Sequence, residues 1–94
     1  MPSDFSLKQN YPNPFNPETN IEFNLPTDTE VSLTIYNLMG QEVKILVNGR
    51  TAAGQHTAHW DGKNQSGADV PSGIYFYRLH ASNFSQTNRM VLVR

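Results

Sequence analysis

Hydrophobic and polar residues alternate with a period of two along much of this chain. Ile21, Phe23 and Leu25 alternate with Asn20, Glu22 and Asn24, and Val31, Leu33 and Ile35 alternate with Glu30, Ser32 and Thr34. Successive side chains of a strand point to opposite faces, so this spacing predicts strands with one buried face. Pro26 ends the first strand, because proline cannot donate to a sheet ladder. Asn37-Leu38-Met39-Gly40 predicts a turn, with Gly40 at a position of positive φ. Residues 42–47 read as the return strand of a hairpin, and Leu46 and Val47 break the alternation begun by Val43 and Ile45, which predicts a bulge. Asn48-Gly49 predicts a further turn.

Residues 54–60 form another strand, with His56, Ala58 and Trp60 on one face. Asp61-Gly62 opens a polar loop. Residues 74–79 form the most aromatic strand, Ser82-Asn83 turns the chain, and residues 89–94 close it with Met90 and Leu92 on one face and Val91 and Val93 on the other. No window carries a 3.6-residue apolar period, so helix is nearly absent. About seven short strands with regularly spaced turns predict an all-β fold, an antiparallel β-sandwich. Gly73-Ile74-Tyr75-Phe76-Tyr77 fits a tyrosine corner, in which a tyrosine hydroxyl returns to nearby backbone. Tyr75, Tyr77 and Leu79 then face inward, and Arg78 and His80 face solvent. An aromatic strand without the corner bond is the alternative.

Tyr11-Pro12-Asn13-Pro14-Phe15-Asn16-Pro17 carries three prolines in seven residues. Proline fixes φ and pushes its predecessor toward extended backbone, so residues 11–19 read as a stiff irregular loop. Tyr11 and Phe15 are expected to pack onto the sandwich and plug one end or edge. Met1-Pro2-Ser3-Asp4 reads as an artificial start before a linker, which leaves residues 5–94 as the domain.

Composition narrows the function classes. The chain has 94 residues, 16% of them charged, a net charge of -1, and ten asparagines. Seven Lys+Arg against eight Asp+Glu supply no basic stripe, which argues against nucleic acid. There is no cysteine, hence no disulfide scaffold, thiolate zinc site or cysteine nucleophile. No apolar run is long enough for a spanning helix and no signal peptide opens the chain.

No catalytic constellation stands out. Ser66, Ser72 and Ser82 lack a nucleophile elbow. His56 and His59 lie on opposite faces of one strand, which argues against a shared metal and makes His56 a packed or capping group. Asp61, Asn64 and Asp69 lie in an oxygen-rich loop, but Lys63 and Gln65 occupy ligand positions and the bidentate glutamate is missing, which argues against calcium. An Asx-type turn is the simpler reading. Trp60, Tyr36, Tyr75 and Tyr77 could form a sugar-stacking platform, yet their parity with Ala58 and Leu79 places Trp60, Tyr75 and Tyr77 in the core. The expectation is a protein that is not an enzyme and carries no cofactor.

Larger blocks of residues add a resemblance. Tyr11-Pro12-Asn13-Pro14-Phe15-Asn16-Pro17-Glu18-Thr19, then Ile21 and Phe23, resembles the opening signature of the C-terminal sorting domains (type A) of the type IX secretion system. Val31-x-Leu33-x-Ile35-Tyr36-Asn37, Gly40-Gln41-Glu42-Val43, Ala53-Gly54-x-His56, Trp60-Asp61-Gly62, the block from Ser72 through Tyr75, Tyr77 and Arg78 to Leu79, and Arg89-Met90-Val91-Leu92-Val93-Arg94 follow in order. The resemblance covers residues 5–94, and Arg89 stands where a lysine is common.

The resemblance implies an immunoglobulin-like sandwich that is recognised by the type IX machinery at the outer membrane and carries an N-terminal cargo domain through it. The cargo would be exported, pass the periplasm, and reach the cell surface or medium. In many such proteins a sortase-like peptidase removes the domain. The resemblance places recognition on the last strands, at Gly73, Tyr75, Tyr77, Arg78, Arg89, Met90, Leu92 and Arg94. A free strand edge near the terminus would offer main-chain groups for β-augmentation, with Arg78, Arg89 and Arg94 as exposed charges at its rim. The resemblance makes Tyr11, Pro12, Pro14, Phe15, Trp60, Asp61 and Gly62 the structural signature. The competing readings are an accessory carbohydrate-binding or adhesion module, and a structural sandwich like the immunoglobulin-like domain of flagellar hook-capping proteins, which shares the Trp-Asp-Gly turn. The chain's end directly after a strand favours the sorting reading.

Overall fold

The computed structural model describes residues 4–94; Met1, Pro2 and Ser3, read above as part of an artificial start, lie outside the described residues. Seven strands follow one another: β1 (Ser6–Leu7), β2 (Thr19–Leu25), β3 (Thr29–Tyr36), β4 (Glu42–Thr51), β5 (Gly54–Trp60), β6 (Gly73–Ala81) and β7 (Phe84–Leu92). They form two antiparallel sheets, ordered β1-β2-β5 and β4-β3-β6-β7. This is an immunoglobulin-like sandwich, as the alternation predicts.

The core is the set of inward positions of both sheets. Ile21, Phe23 and Leu25 from β2 meet Val31, Leu33 and Ile35 from β3, Tyr77 and Leu79 from β6, and Met90 and Leu92 from β7, all buried. Trp60 is fully buried, 5.6 Å from Phe15 and 5.4 Å edge-on from Tyr75. Its indole N–H donates to the Lys63 carbonyl at 2.9 Å, which satisfies its polar end. His56 stacks on Phe23 at 5.3 Å, and its Nε2 lies 2.7 Å from the Ala52 carbonyl. It is a packed residue, as expected.

Register explains the turns. Leu33 pairs with Val47 but Thr34 with Ile45, so Leu46 is the extra residue of the predicted bulge. The turn expected at Asn48-Gly49 does not occur. β4 runs through it, with Asn48 opposite Ser32 and Gly49 opposite Val31. β3 begins at Thr29 and offers a ladder that long, and those pairings outweigh the local turn preference. The turns at residues 37–40 and 82–83 form as expected, with Gly40 at φ 80° and Ser82 at φ 56°.

The Pro-rich segment divides the two aromatics expected to pack. Phe15 is 1% exposed, but Tyr11 is 79% exposed. Tyr11 exchanges both main-chain hydrogen bonds with Asn20, at 2.9 Å each. Residues paired across strands share a face, and Asn20 faces solvent, so Tyr11 does too.

Candidate functional site

Two features sit around β6 and β7: an open sheet face and a latched last strand. On the face, the inward parity of Tyr75, Tyr77 and Leu79 turns Phe76, Arg78 and His80 outward. Phe76 lies between Tyr36 and Arg89, Arg78 between Thr34 and Thr87, and His80 between Ser32 and Ser85. A groove of about 300 Å³ runs over Tyr36, Leu38, Phe76, Arg78 and Thr87. A second, of about 240 Å³, continues over Ser32, Tyr36, Arg78 and His80. Arg78 Nε donates to Ser85 Oγ at 3.0 Å, and its terminal nitrogens have no other partner among the described residues.

The wall of the groove is the β3–β4 turn. Asn37 Oδ1 accepts from the Met39 N–H at 2.9 Å and the Gln41 N–H at 3.0 Å, and its Nδ2 donates to Gln41 Oε1 at 2.9 Å. This side-chain-built turn holds Leu38 and Met39 out at 67% and 83% exposure.

The last strand is latched by residues distant in sequence. The Phe15 N–H donates to the Val91 carbonyl at 3.0 Å, and the Val93 N–H donates to the Phe15 carbonyl at 2.8 Å. Asn13 Oδ1 accepts from the Val91 N–H at 3.0 Å, and Gln9 Nε2 donates to the Arg89 carbonyl at 2.7 Å. The free terminal edge expected for β-augmentation is therefore occupied by this chain from Arg89 onward. The Pro-rich segment is bent, and it meets the end of β7 through a single parallel bridge between Phe15 and Leu92.

Arg94 is a second correction to the picture of free rim charges. Its guanidinium donates to the carbonyls of Val70 and Gly62, and its main-chain N–H donates to Ser72 Oγ at 2.8 Å. Asp69 lies 3.7 Å away. Gly62 permits this approach, because a Cβ there would stand 2.9 Å from Arg94 Nη2 and 3.0 Å from the Pro17 carbonyl. Asp61-Gly62 is thus the seat of the latch. Charge reversal at Arg94 is expected to destabilise the fold by about 1–3 kcal/mol, the worth of charged hydrogen bonds to backbone. A chemical-denaturation midpoint unchanged in Arg94→Glu would show that the latch contributes nothing.

The remaining signature and recognition residues serve shape. Gly73 opens β6 opposite Leu92; Tyr75, Tyr77, Met90 and Leu92 are buried, so they hold β6 and β7 in place and present no side chain to a partner. Tyr75 donates to the Pro71 carbonyl at 2.7 Å, which completes the tyrosine corner. Pro12 supplies a carbonyl to Thr19 Oγ1 at 2.9 Å, while Pro14 is exposed. In the loop of residues 61–69, Asn64 Oδ1 accepts from Ser66 N, Ser66 Oγ and Ala68 N, so it forms an Asx turn. Asp61 Oδ1 accepts from the Lys63 N–H at 3.2 Å, and no metal-ligand cluster converges among the described residues.

Tyr77 is the polar node of the core. Its hydroxyl donates to the Lys8 carbonyl at 2.7 Å and accepts from the Asn10 N–H at 2.8 Å and Asn88 Nδ2 at 3.2 Å. Burial raises the pKa of both Tyr75 and Tyr77, against smaller lowering effects of Arg94 on the first and of the Asn88 and Asn10 bonds on the second. A phenol is neutral when protonated, so a raised folded value means stability that is fully present below the unfolded tyrosine value of about 10 and is lost as pH rises through the folded values. Alkaline titration should show two tyrosines ionising late, and denaturant should bring both down to the ordinary value. Simultaneous ionisation of all tyrosines in the native protein would contradict the burial.

Alternation did not single out Gln9, Asn10 and Asn13, whose polar side chains bond from irregular backbone, or Thr19 at the start of β2, although Asn13 and Thr19 stand in the opening block of the resemblance. Nor did it single out Phe76 and Leu38, although Phe76's outward parity was readable.

Comparison with known proteins places the chain. The model of the FlgD Ig-like domain family matches residues 13–85. The basal-body rod modification proteins FlgD of Salmonella typhimurium and Salmonella typhi are each 41% identical to it over 63 residues, covering 67% of this chain. The match spans only 27% of those relatives' own length. Among solved structures, FlgD of P. aeruginosa is 29% identical with a TM-score of 0.61, covering 79% of this chain and 58% of that one. Latent PorU of Porphyromonas gingivalis shares the fold at a TM-score of 0.74 and 18% identity, over 96% of this chain and 9% of its own. PorZ of the same organism, described as an essential bacterial surface component of the type-IX secretion system, shares it at 0.62 and 21%, over 96% of this chain and 11% of its own. A buried Trp60 on the Asp61-Gly62 turn, a completed tyrosine corner and a family match over most of the chain lead to one conclusion: this chain belongs to the FlgD Ig-like domain family.

Proposed function

We propose that this domain is a non-catalytic address that directs an attached exported protein through the type IX secretion system to the cell surface. The observation that carries the reading is the β6–β7 face: the end of β7 is hydrogen-bonded to Gln9, Asn13 and Phe15, and Arg78 of β6 and Arg89 of β7 are exposed there without an ion-pair partner among the described residues. The FlgD family match stops at residue 85, before the end of β7. The PorU and PorZ likenesses cover 96% of the chain and so take in most of that end. The blocks of the resemblance to sorting domains extend there as well. Recognition would read the folded sheet face, since the edge is occupied.

The test is export of a periplasmic reporter fused ahead of this domain, in a host that has the machine. The fusion should reach the surface or medium. Reversal of Arg78 and Arg89 to glutamate should cut export severalfold and leave folding intact, because exposed charges contribute little to stability. A folded fusion that stays periplasmic would falsify the sorting role and leave a structural domain of the FlgD type.

A further inference from the structure

The open face of β3, β6 and β7 carries aromatic and hydroxyl groups beside the arginines already considered. Two aromatic side chains, Tyr36 and Phe76, sit opposite each other and are half-buried. They adjoin Arg78, which lies under both grooves. Thr87, Ser32 and His80 supply hydroxyl and imidazole groups around it. We propose that this trough is a binding site for an acidic oligosaccharide of the uronate type; it shares Arg78 and its face with the sorting reading, but binding by the isolated domain is measured without export, so either can fail alone.

Charge comes first. None of the ion pairs among the described residues involves Arg78 or Arg89; they join Lys8 to Glu22, His59 to Glu18 and Arg94 to Asp69. Ser85 engages Nε of Arg78, with its terminal nitrogens left for a ligand. A guanidinium fork matches a carboxylate in two parallel hydrogen bonds. Glu42 and Lys44 stand on β4 opposite Tyr36 and Ile35 and offset each other in charge, so the excess positive charge of this face lies at its β6–β7 border, at Arg78 and Arg89. That placement brings one sugar's carboxylate to Arg78 and leaves the C–H face of the ring for Tyr36 and Phe76.

Backbone comes second. β6 pairs with β3 on one side and β7 on the other, so the face offers no free ladder of N–H and C=O groups. An extended peptide bound there would leave its own backbone without sheet partners, unlike one added at an edge. A pyranose needs none: its C–H face covers an aromatic ring, and its hydroxyls meet the serine, threonine and histidine side chains. A trough with an apolar floor and a few convergent polar groups is the usual form of a small-ligand site. The rigid Asn37 turn keeps the Leu38 wall in place before binding, which lowers the ordering cost.

The experiment titrates the 94-residue protein with tetragalacturonate and follows its backbone amides by NMR, with cellotetraose as the neutral control. Saturable shifts are expected at Tyr36, Phe76, Arg78 and Thr87, with cellotetraose binding at least about tenfold more weakly. Arg78→Gln should lose about tenfold in affinity for the acidic tetramer while its spectrum elsewhere stays unchanged, since the side chain is exposed. Phe76→Ser gives a second variant that removes stacking and keeps Arg78. Shifts that do not saturate, shifts centred on Lys8 or Arg50, or equal binding of the neutral tetramer would overturn the proposal. So would an octapeptide of alternating Asp and Ser that moves these residues when the uronate does not, because the partner would then be a protein.

Discussion

Trp60→Ala is expected to lower the unfolding free energy by about 3–5 kcal/mol, a large part of the roughly 5–15 kcal/mol available to a domain. The ring is fully buried and bridges three parts of the fold. It extends from the end of β5, carries Phe15 on one side and meets Tyr75 of the opposite sheet edge-on. Alanine would leave a void between the sheets that strand backbones, fixed by their ladders, cannot collapse to fill. The Lys63 carbonyl would also lose its indole donor. Trp60→Phe separates the two contributions, since it keeps most of the volume and loses only the N–H. Denaturant midpoints of the three proteins decide the matter. A midpoint for Trp60→Ala within error of the parent would mean that the ring stands in solvent, which would return it to the sugar-platform reading.

The strands were legible where a local rule and a tertiary demand agree. The alternation of residues 20–25 and 30–35 marks one buried face, and the sandwich uses that face. The bulge at Leu46 was readable because the pattern itself skips a position. Gly49 was misleading for the opposite reason: the dipeptide favours a turn, but its partner strand continues, and ladder pairing is a long-range term that no dipeptide reports. β1 is two residues long, too short for any periodicity, and exists because Ser6 and Leu7 pair with Asn24 and Phe23.

The candidate site was half legible for similar reasons. Arg78 was readable as an outward position from the parity of its strand, whereas Arg89 was not, because residues 89–94 carry apolar side chains on both faces. Arg94 was not readable as a latch, because its partners are carbonyls of a loop whose path the sequence does not disclose. The occupied edge of β7 was equally hidden. It depends on Gln9, Asn13 and Phe15 folding back onto residues 89–93, a contact across most of the chain.

Removal of residues 1–18 is expected to have the larger effect of the two, and to leave the remainder unfolded or without fixed packing. The segment supplies Leu7 and Phe15 to the core, both buried. It supplies the Lys8 carbonyl and Asn10 N–H that satisfy the Tyr77 hydroxyl in the interior. It also covers the end of β7 through Phe15, Asn13 and Gln9. Phe15→Ala alone should cost about 3–5 kcal/mol, and each orphaned buried polar group about 1–3 kcal/mol more. Together these reach the whole stability of a small domain. Tyr11→Ala is the control from the same segment: its ring is exposed, so its effect should stay within about 0.5 kcal/mol. Circular dichroism and amide dispersion of residues 19–94 read the outcome directly. A dispersed spectrum and an unchanged denaturation midpoint for that fragment would reduce the Pro-rich segment to a linker. The β7 edge would then be bare in the fragment, and type IX recognition by strand addition there would become possible again.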